Sequence, residues 1–74
     1  MHSQTMEWKQ GEQQVKTADR YFEHREHLGA YIRQSVRKLR DRGFVLVKVG
    51  QAGPVLYKDF EKDGGGGASI LWML

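Results

Sequence analysis

Apolar residues at Ala18, Tyr21, Phe22, Leu28, Ile32, Val36 and Leu39 recur at steps of three, four and seven, and no other feature of the chain restricts its fold as strongly. That spacing lays one apolar stripe, with Tyr31 at its flank, along a helix of 3.6 residues per turn. Thr17 or Asp19 is the expected start. Either side-chain oxygen can accept from the free N–H groups of a first turn, and Glu23 adds negative charge near the positive helix end. Gly43, after Asp41-Arg42 and before Phe44, is the expected stop: a left-handed cap with a hydrophobic residue just beyond it. The helix is therefore expected from Asp19 to Arg42. Gly29, inside it, weakens it by roughly 0.5–1 kcal/mol relative to alanine and reads as a close packing contact.

The stripe runs directly into alternation. Val45, Val47 and Val49 fall on one side of an extended chain, with Phe44, Leu46 and Lys48 on the other; Val55, Tyr57 and Asp59 alternate with Leu56, Lys58 and Phe60 on the return. The segment from Gly50 to Pro54 joins the two, and Pro54, which has no N–H to donate, belongs at a strand start. The valines are expected to face the helix stripe. A two-stranded ribbon is marginal alone, so its second face needs a cover. The expected fold class is α+β, one long amphipathic helix packed on a two- or three-stranded antiparallel hairpin sheet, in a domain spanning residues 17–60. Residues 1–16, rich in Gln and Glu, read as a flexible segment or, at Thr5 to Lys9, a short edge strand. Residues 61–67, ending in four glycines, read as a flexible linker, and residues 68–74 as an apolar C-terminal peptide.

A chain of 74 residues makes one domain with a core near the lower size limit. The absence of cysteine excludes disulfide stapling and thiol catalysis, and the N-terminus shows no basic-then-apolar leader. The apolar run Ile70 to Leu74 is far shorter than the ~20 residues of a membrane helix. A cytoplasmic monomer without a membrane anchor is expected. Glu23-His24-Arg25-Glu26-His27 places possible metal ligands one turn apart, but the only other histidine is His2, so this reads as an ordinary charged helix face and no metal or cofactor is expected. Gly64 to Gly67 lacks the lysine and hydroxyl residue of a phosphate loop, and Ser3, Ser35 and Ser69 have no base beside them. The expectation is a non-enzyme.

Charge is concentrated instead. Between residues 33 and 48 lie Arg33, Arg37, Lys38, Arg40, Arg42 and Lys48 against Asp41 alone, a local charge of +5; with the chain at +3, the rest carries −2. Such a segment attracts phosphates or an acidic protein surface, or else it is a solvated face whose arginine stems shield apolar neighbours. The second candidate surface is the tail. Ile70, Leu71, Trp72 and Leu74, tethered by glycines, either dock on their own domain as a third strand or a cover for the hairpin, or enter a partner's groove. Two partner classes follow. The hairpin and basic helix can act as a nucleic-acid-binding winged-helix-like module, although a supporting helix before the recognition helix is lacking. Alternatively, the basic patch and the tail together bind a protein.

The layout from the polar Met-Trp start, through Arg40-Asp41-Arg42-Gly43-Phe44 and the valine-rich hairpin, to the glycine-preceded C-terminus resembles small transcription regulators of bacteriophages infecting Xanthomonas. The resemblance implies binding to the N-terminal part of the β′ subunit of host bacterial RNA polymerase, inhibition of promoter-specific initiation, and antitermination near the RNA exit channel. It transfers no individual residue role. The candidate partner-binding residues remain those of the basic patch and the tail.

Overall fold

A computed structural model describes residues 2–73. The chain runs β1 (His2–Gln10), β2 (Gln13–Phe22), α1 (Arg25–Asp41), β3 (Val45–Ala52), β4 (Val55–Lys62) and β5 (Gly66–Met73). The five strands form one antiparallel sheet in the order β2-β1-β5-β4-β3. This corrects the expected fold: the protein is mostly sheet, one helix lies across five strands, and the segments read as flexible tails and linker are strands and a turn.

The start of the helix moves because a step of four residues is ambiguous. Residues i and i+4 share a face in a strand as well as in a helix, so Ala18 and Phe22 fit both patterns. Here Thr17 to Phe22 belongs to β2, where Ala18 sits opposite Met6 and Phe22 opposite His2. The helix starts at Arg25 with His24 as its N-cap, and Thr17 and Asp19 cap nothing. Its end agrees with the sequence. Gly43 has φ 90° and its N–H donates to the Arg40 carbonyl at 3.0 Å, while Phe44 N–H reaches back to the Leu39 carbonyl at 3.0 Å. Those are the two bonds of a Schellman cap, and Phe44 packs on the core that Leu39 helps to build.

Glycines also set the turns. Gly11-Glu12 closes β1 on β2, and Gly53-Pro54 closes β3 on β4, each glycine at positive φ in the first central position, the requirement of a type II′ hairpin turn. The four-glycine segment is no linker. Gly64 and Gly65 take positive φ in the β4–β5 turn, and Gly11 N–H donates to the Gly65 carbonyl at 2.7 Å, joining two turns at one end of the sheet. Gly66 and Gly67 already pair with β1 and β4.

β5 is the centre of the sheet, bonded to β1 on one side and β4 on the other. Antiparallel partners share a face, so Met6 and Trp8 on β1, Ala68, Ile70 and Trp72 on β5, and Leu56 and Phe60 on β4 all point toward α1. Of these, Ala68, Ile70 and Phe60 form the core with Leu28, Ile32 and Leu39 of the helix, and Met6, Trp8, Trp72, Phe22, Val36, Phe44 and Leu46 pack against it. The three valines expected there are absent from it: Val45, Val47 and Val49 are 63%, 52% and 61% exposed on the edge strand β3. A register shift between Leu46 and Lys48 leaves Val47 unpaired. Alternation is thereby broken, and it is Leu46 that faces inward.

Scale explains what remains uncovered. Five strands span about 19 Å from first to last at roughly 4.8 Å per step, whereas a helix with side chains is about 10–12 Å across. One helix therefore covers about half of its sheet face, and α1 makes its closest approaches to β1 and β2.

Two outcomes test this placement. Ile70→Ala should lower stability by about 2–5 kcal/mol in urea unfolding followed by circular dichroism. Deleting residues 68–74 should abolish the cooperative transition altogether; a deletion variant that still unfolds cooperatively would mean that β5 is dispensable.

Candidate functional site

Helix period and strand alternation together sort the charges of the chain onto two sides. Along α1 the buried positions are Leu28, Ile32, Ser35 and Leu39, so Arg33, Arg37 and Arg40 emerge on the opposite, exposed face. The strand positions that look toward the helix layer carry only basic charges: Lys16 and Arg20 on β2, Lys58 and Lys62 on β4. α1 and the helix-facing strand positions together hold nine cations, from Lys16, Arg20, Arg25, Arg33, Arg37, Lys38, Arg40, Lys58 and Lys62, against Glu26 and Asp41, with Arg42 and Glu23 flanking the two ends of the helix. The opposite sheet face has the reverse balance. Glu7, Asp19, Asp59 and Glu61 stand there against Lys9 and Lys48.

The concentrated part of the cationic side is a groove. Because α1 leaves the β3–β4 half of the sheet partly bare, a hollow of about 320 Å³ opens between them, lined by Ile32, Val36, Arg33, Arg37, Arg40, Asp41 and Lys58. Its floor is aliphatic and its rim holds four cations and one carboxylate. Guanidinium groups that stand over a low-dielectric floor act more strongly on an incoming anion than they would in open water, and arginine grips carboxylates and phosphates in bidentate fashion.

The candidate residues of the sequence divide accordingly. Arg33, Arg37 and Arg40 come together in the groove. Lys38 and Arg42 lie on the other flank of the helix, toward β1, where the Arg42 guanidinium carbon is 5.8 Å from the Trp8 ring. Lys48 is on the far side of the sheet, 5.9 Å from the Tyr57 ring. Ile70 is fully buried and presents no surface to a partner, while Trp72 is partly buried and packs against the core. Leu71 lies half-buried on the sheet face away from the helix, and Leu74 lies outside the described residues.

Lys58 was not singled out from the sequence. Its signal was its parity with Leu56 and Phe60, which places it on the inward face of β4. Arg20 was obscured because its strand read as helix; its guanidinium carbon sits 4.7 Å from the Tyr31 ring.

The opposite sheet face is built of local polar contacts. Thr5 Oγ1 donates to Asp19 at 2.7 Å and Ser69 Oγ to Asp59 at 2.7 Å. The Tyr57 ring lies against Gly50, where an added Cβ would come within 2.5 Å of its Cζ. His24 and His27 meet edge to face at 5.2 Å, and among the described residues no three of His, Cys, Asp and Glu gather in a metal-binding group. No described helix is long and apolar enough to cross a membrane. No family model, curated protein or solved structure matches this chain.

A polyanion column tests the sorting of charge. Replacing Arg33, Arg37 and Arg40 by glutamate should leave the circular dichroism spectrum unchanged, since all three are exposed, and should move elution from heparin to clearly lower salt. Replacing Lys9 and Lys48 by glutamate should move it far less per charge. Equal shifts per charge would mean that only net charge matters.

Proposed function

We propose that this protein is a non-enzymatic regulator that docks on an acidic protein surface through the outer face of α1, and that the surface belongs to bacterial RNA polymerase, at the N-terminal part of its β′ subunit. One observation carries the binding mode: nine cations against two carboxylates on α1 and the strand positions facing it, with Arg33, Arg37, Arg40 and Lys58 meeting in the groove. The choice of polymerase rests on the resemblance of the chain's layout to phage transcription regulators. That resemblance also carries inhibition of initiation and antitermination as the proposed consequences of binding.

A field of this kind speeds encounter with an acidic partner and weakens as salt screens it within about 10 Å at 0.1 M. The reading does not use the tail, since Ala68 and Ile70 are buried in the core and Trp72 packs against it. The winged-helix reading loses its support as well. α1 is the one helix among the described residues, and helix-turn-helix recognition needs a second.

Capture of a purified β′ N-terminal fragment on immobilised protein, with nuclease present, is the direct test. Binding should survive nuclease, fall with added salt, and lose about tenfold or more in association rate in the R33E/R37E/R40E variant. Binding that disappears on nuclease treatment would assign the cationic face to nucleic acid, and no binding at low salt would remove polymerase as the partner.

A further inference from the structure

On the β1 flank of α1 lies a second hollow, about 120 Å³, with a different character from the groove. Met6, Leu39 and the rings of Trp8 and Tyr31 wall it, Ser35 closes its depth, and Lys38 and Arg42 stand at its mouth with no carboxylate among the lining residues. The Ser35 hydroxyl is engaged within the helix, donating to the Tyr31 carbonyl at 2.9 Å, which leaves the interior largely apolar.

The walls are held from behind. Trp8 stands edge-on to Phe44 with ring centres 6.0 Å apart and an interplanar angle of 67°. Tyr31 leans on Phe22 at 5.4 Å and carries the Arg20 guanidinium at 4.7 Å on its face. Aromatic walls fixed in this way need little ordering when an occupant enters, so the contact area they offer goes into affinity.

Size and charge together identify the occupant. A cavity of roughly 150 Å³ accepts a benzene ring, so a hollow of about 120 Å³ suits one branched aliphatic side chain. Its two rim cations, with Arg20 beside Tyr31, favour carboxylates next to that side chain. We infer that this hollow is an anchor pocket for a single leucine-type side chain carried on an acidic protein segment, flanked by carboxylates that meet Lys38 and Arg42. The inference rests on the reading of the helix side as the surface for an acidic protein, and it adds the apolar anchor that gives such a surface selectivity. Charge steers the encounter, and the pocket distinguishes one acidic segment from another.

Short synthetic peptides test this without polymerase, so the pocket can stand or fall apart from the choice of partner. The probes are a blocked pentapeptide with leucine between two pairs of acidic residues, its alanine analogue, and a lysine-flanked leucine peptide, titrated against the 15N-labelled full chain. The Trp8 indole N–H and the Tyr31 and Leu39 amides should shift on adding the acidic leucine peptide, with affinity about tenfold above that of the alanine analogue. Ser35→Leu, which fills the hollow, should erase the difference between the two acidic peptides. Lys38→Glu with Arg42→Glu, both exposed, should reverse the preference toward the lysine-flanked peptide while a circular dichroism melt confirms that the fold is retained. Equal binding of the leucine and alanine peptides, shifts confined to the groove residues, or no saturable binding would each overturn the inference. Displacement of the bound leucine peptide by a single-stranded RNA oligomer, with the Trp8 signal moving to a new position, would assign the hollow to a nucleic acid and overturn it too.

Discussion

The protein depends on the insertion of its last strand between its first and its fourth. β5 pairs with β1 along Gly66–Met73 and with β4 over Gly66 to Trp72, so removing it would leave two hairpins with no strand pairing between them. It also brings Ala68 and Ile70, both nearly or fully buried, to the middle of the core beneath Leu28 and Ile32. In a chain this short, the one core cluster among the described residues is built on them. The pairing of the two chain ends is long-range, and its loop-closure entropy must be met before the sheet is complete. Helix, hairpins and core are therefore expected to form as one cooperative unit.

From that constraint follows the shape of the functional side. A sheet five strands wide cannot be covered by one helix, and the chain between β2 and β3 supplies one helix to cross from one edge to the other. Each flank of α1 is left as a hollow, and the residues near them are the long cations of the helix and of inward strand positions, which can cover apolar floor with their stems while keeping charge in water. The free edges are managed separately. β2 is lined with polar and charged side chains, and β3, richer in valine, is broken by the shift at Val47 and carries Lys48, both of which discourage pairing with another chain.

Part of this was legible in the sequence. The stripe of Leu28, Ile32, Val36 and Leu39, the Gly43 cap and the pairing of β3 with β4 were all readable, because each rests on contacts close in sequence. The basic patch at Arg33, Arg37 and Arg40 was readable for the same reason. The N-terminal hairpin was not. β2 is an edge strand exposed from Gln13 to Tyr21, so it lacks the apolar alternation by which strands are recognised, and Ala18 and Phe22 fit a helix equally well. The short Gly11-Glu12 turn was the available signal. Docking of the tail as a third strand beside the hairpin was among the readings of the sequence, and β5 pairs with β4 in that way; the linker was misread because Gly64 to Gly67 has the composition of flexible coil, and only the pairing of Gly66 and Gly67 with β1 and β4 reveals a turn leading into a central strand. Lys58 joined the site through tertiary packing alone, as did the hollow between Trp8 and Tyr31.

Native-state amide hydrogen exchange measures the central claim most directly, since protection reports which backbone groups open only with the whole fold. The account predicts that Ala68 to Trp72 of β5, with their partners on β1 and β4, exchange most slowly and with the free energy of global unfolding, while β2 and the outer part of β3 exchange sooner. Rapid exchange of Ala68 to Trp72 in a protein whose helix amides remain protected would contradict it, and would return the C-terminal residues to the role of a free apolar peptide.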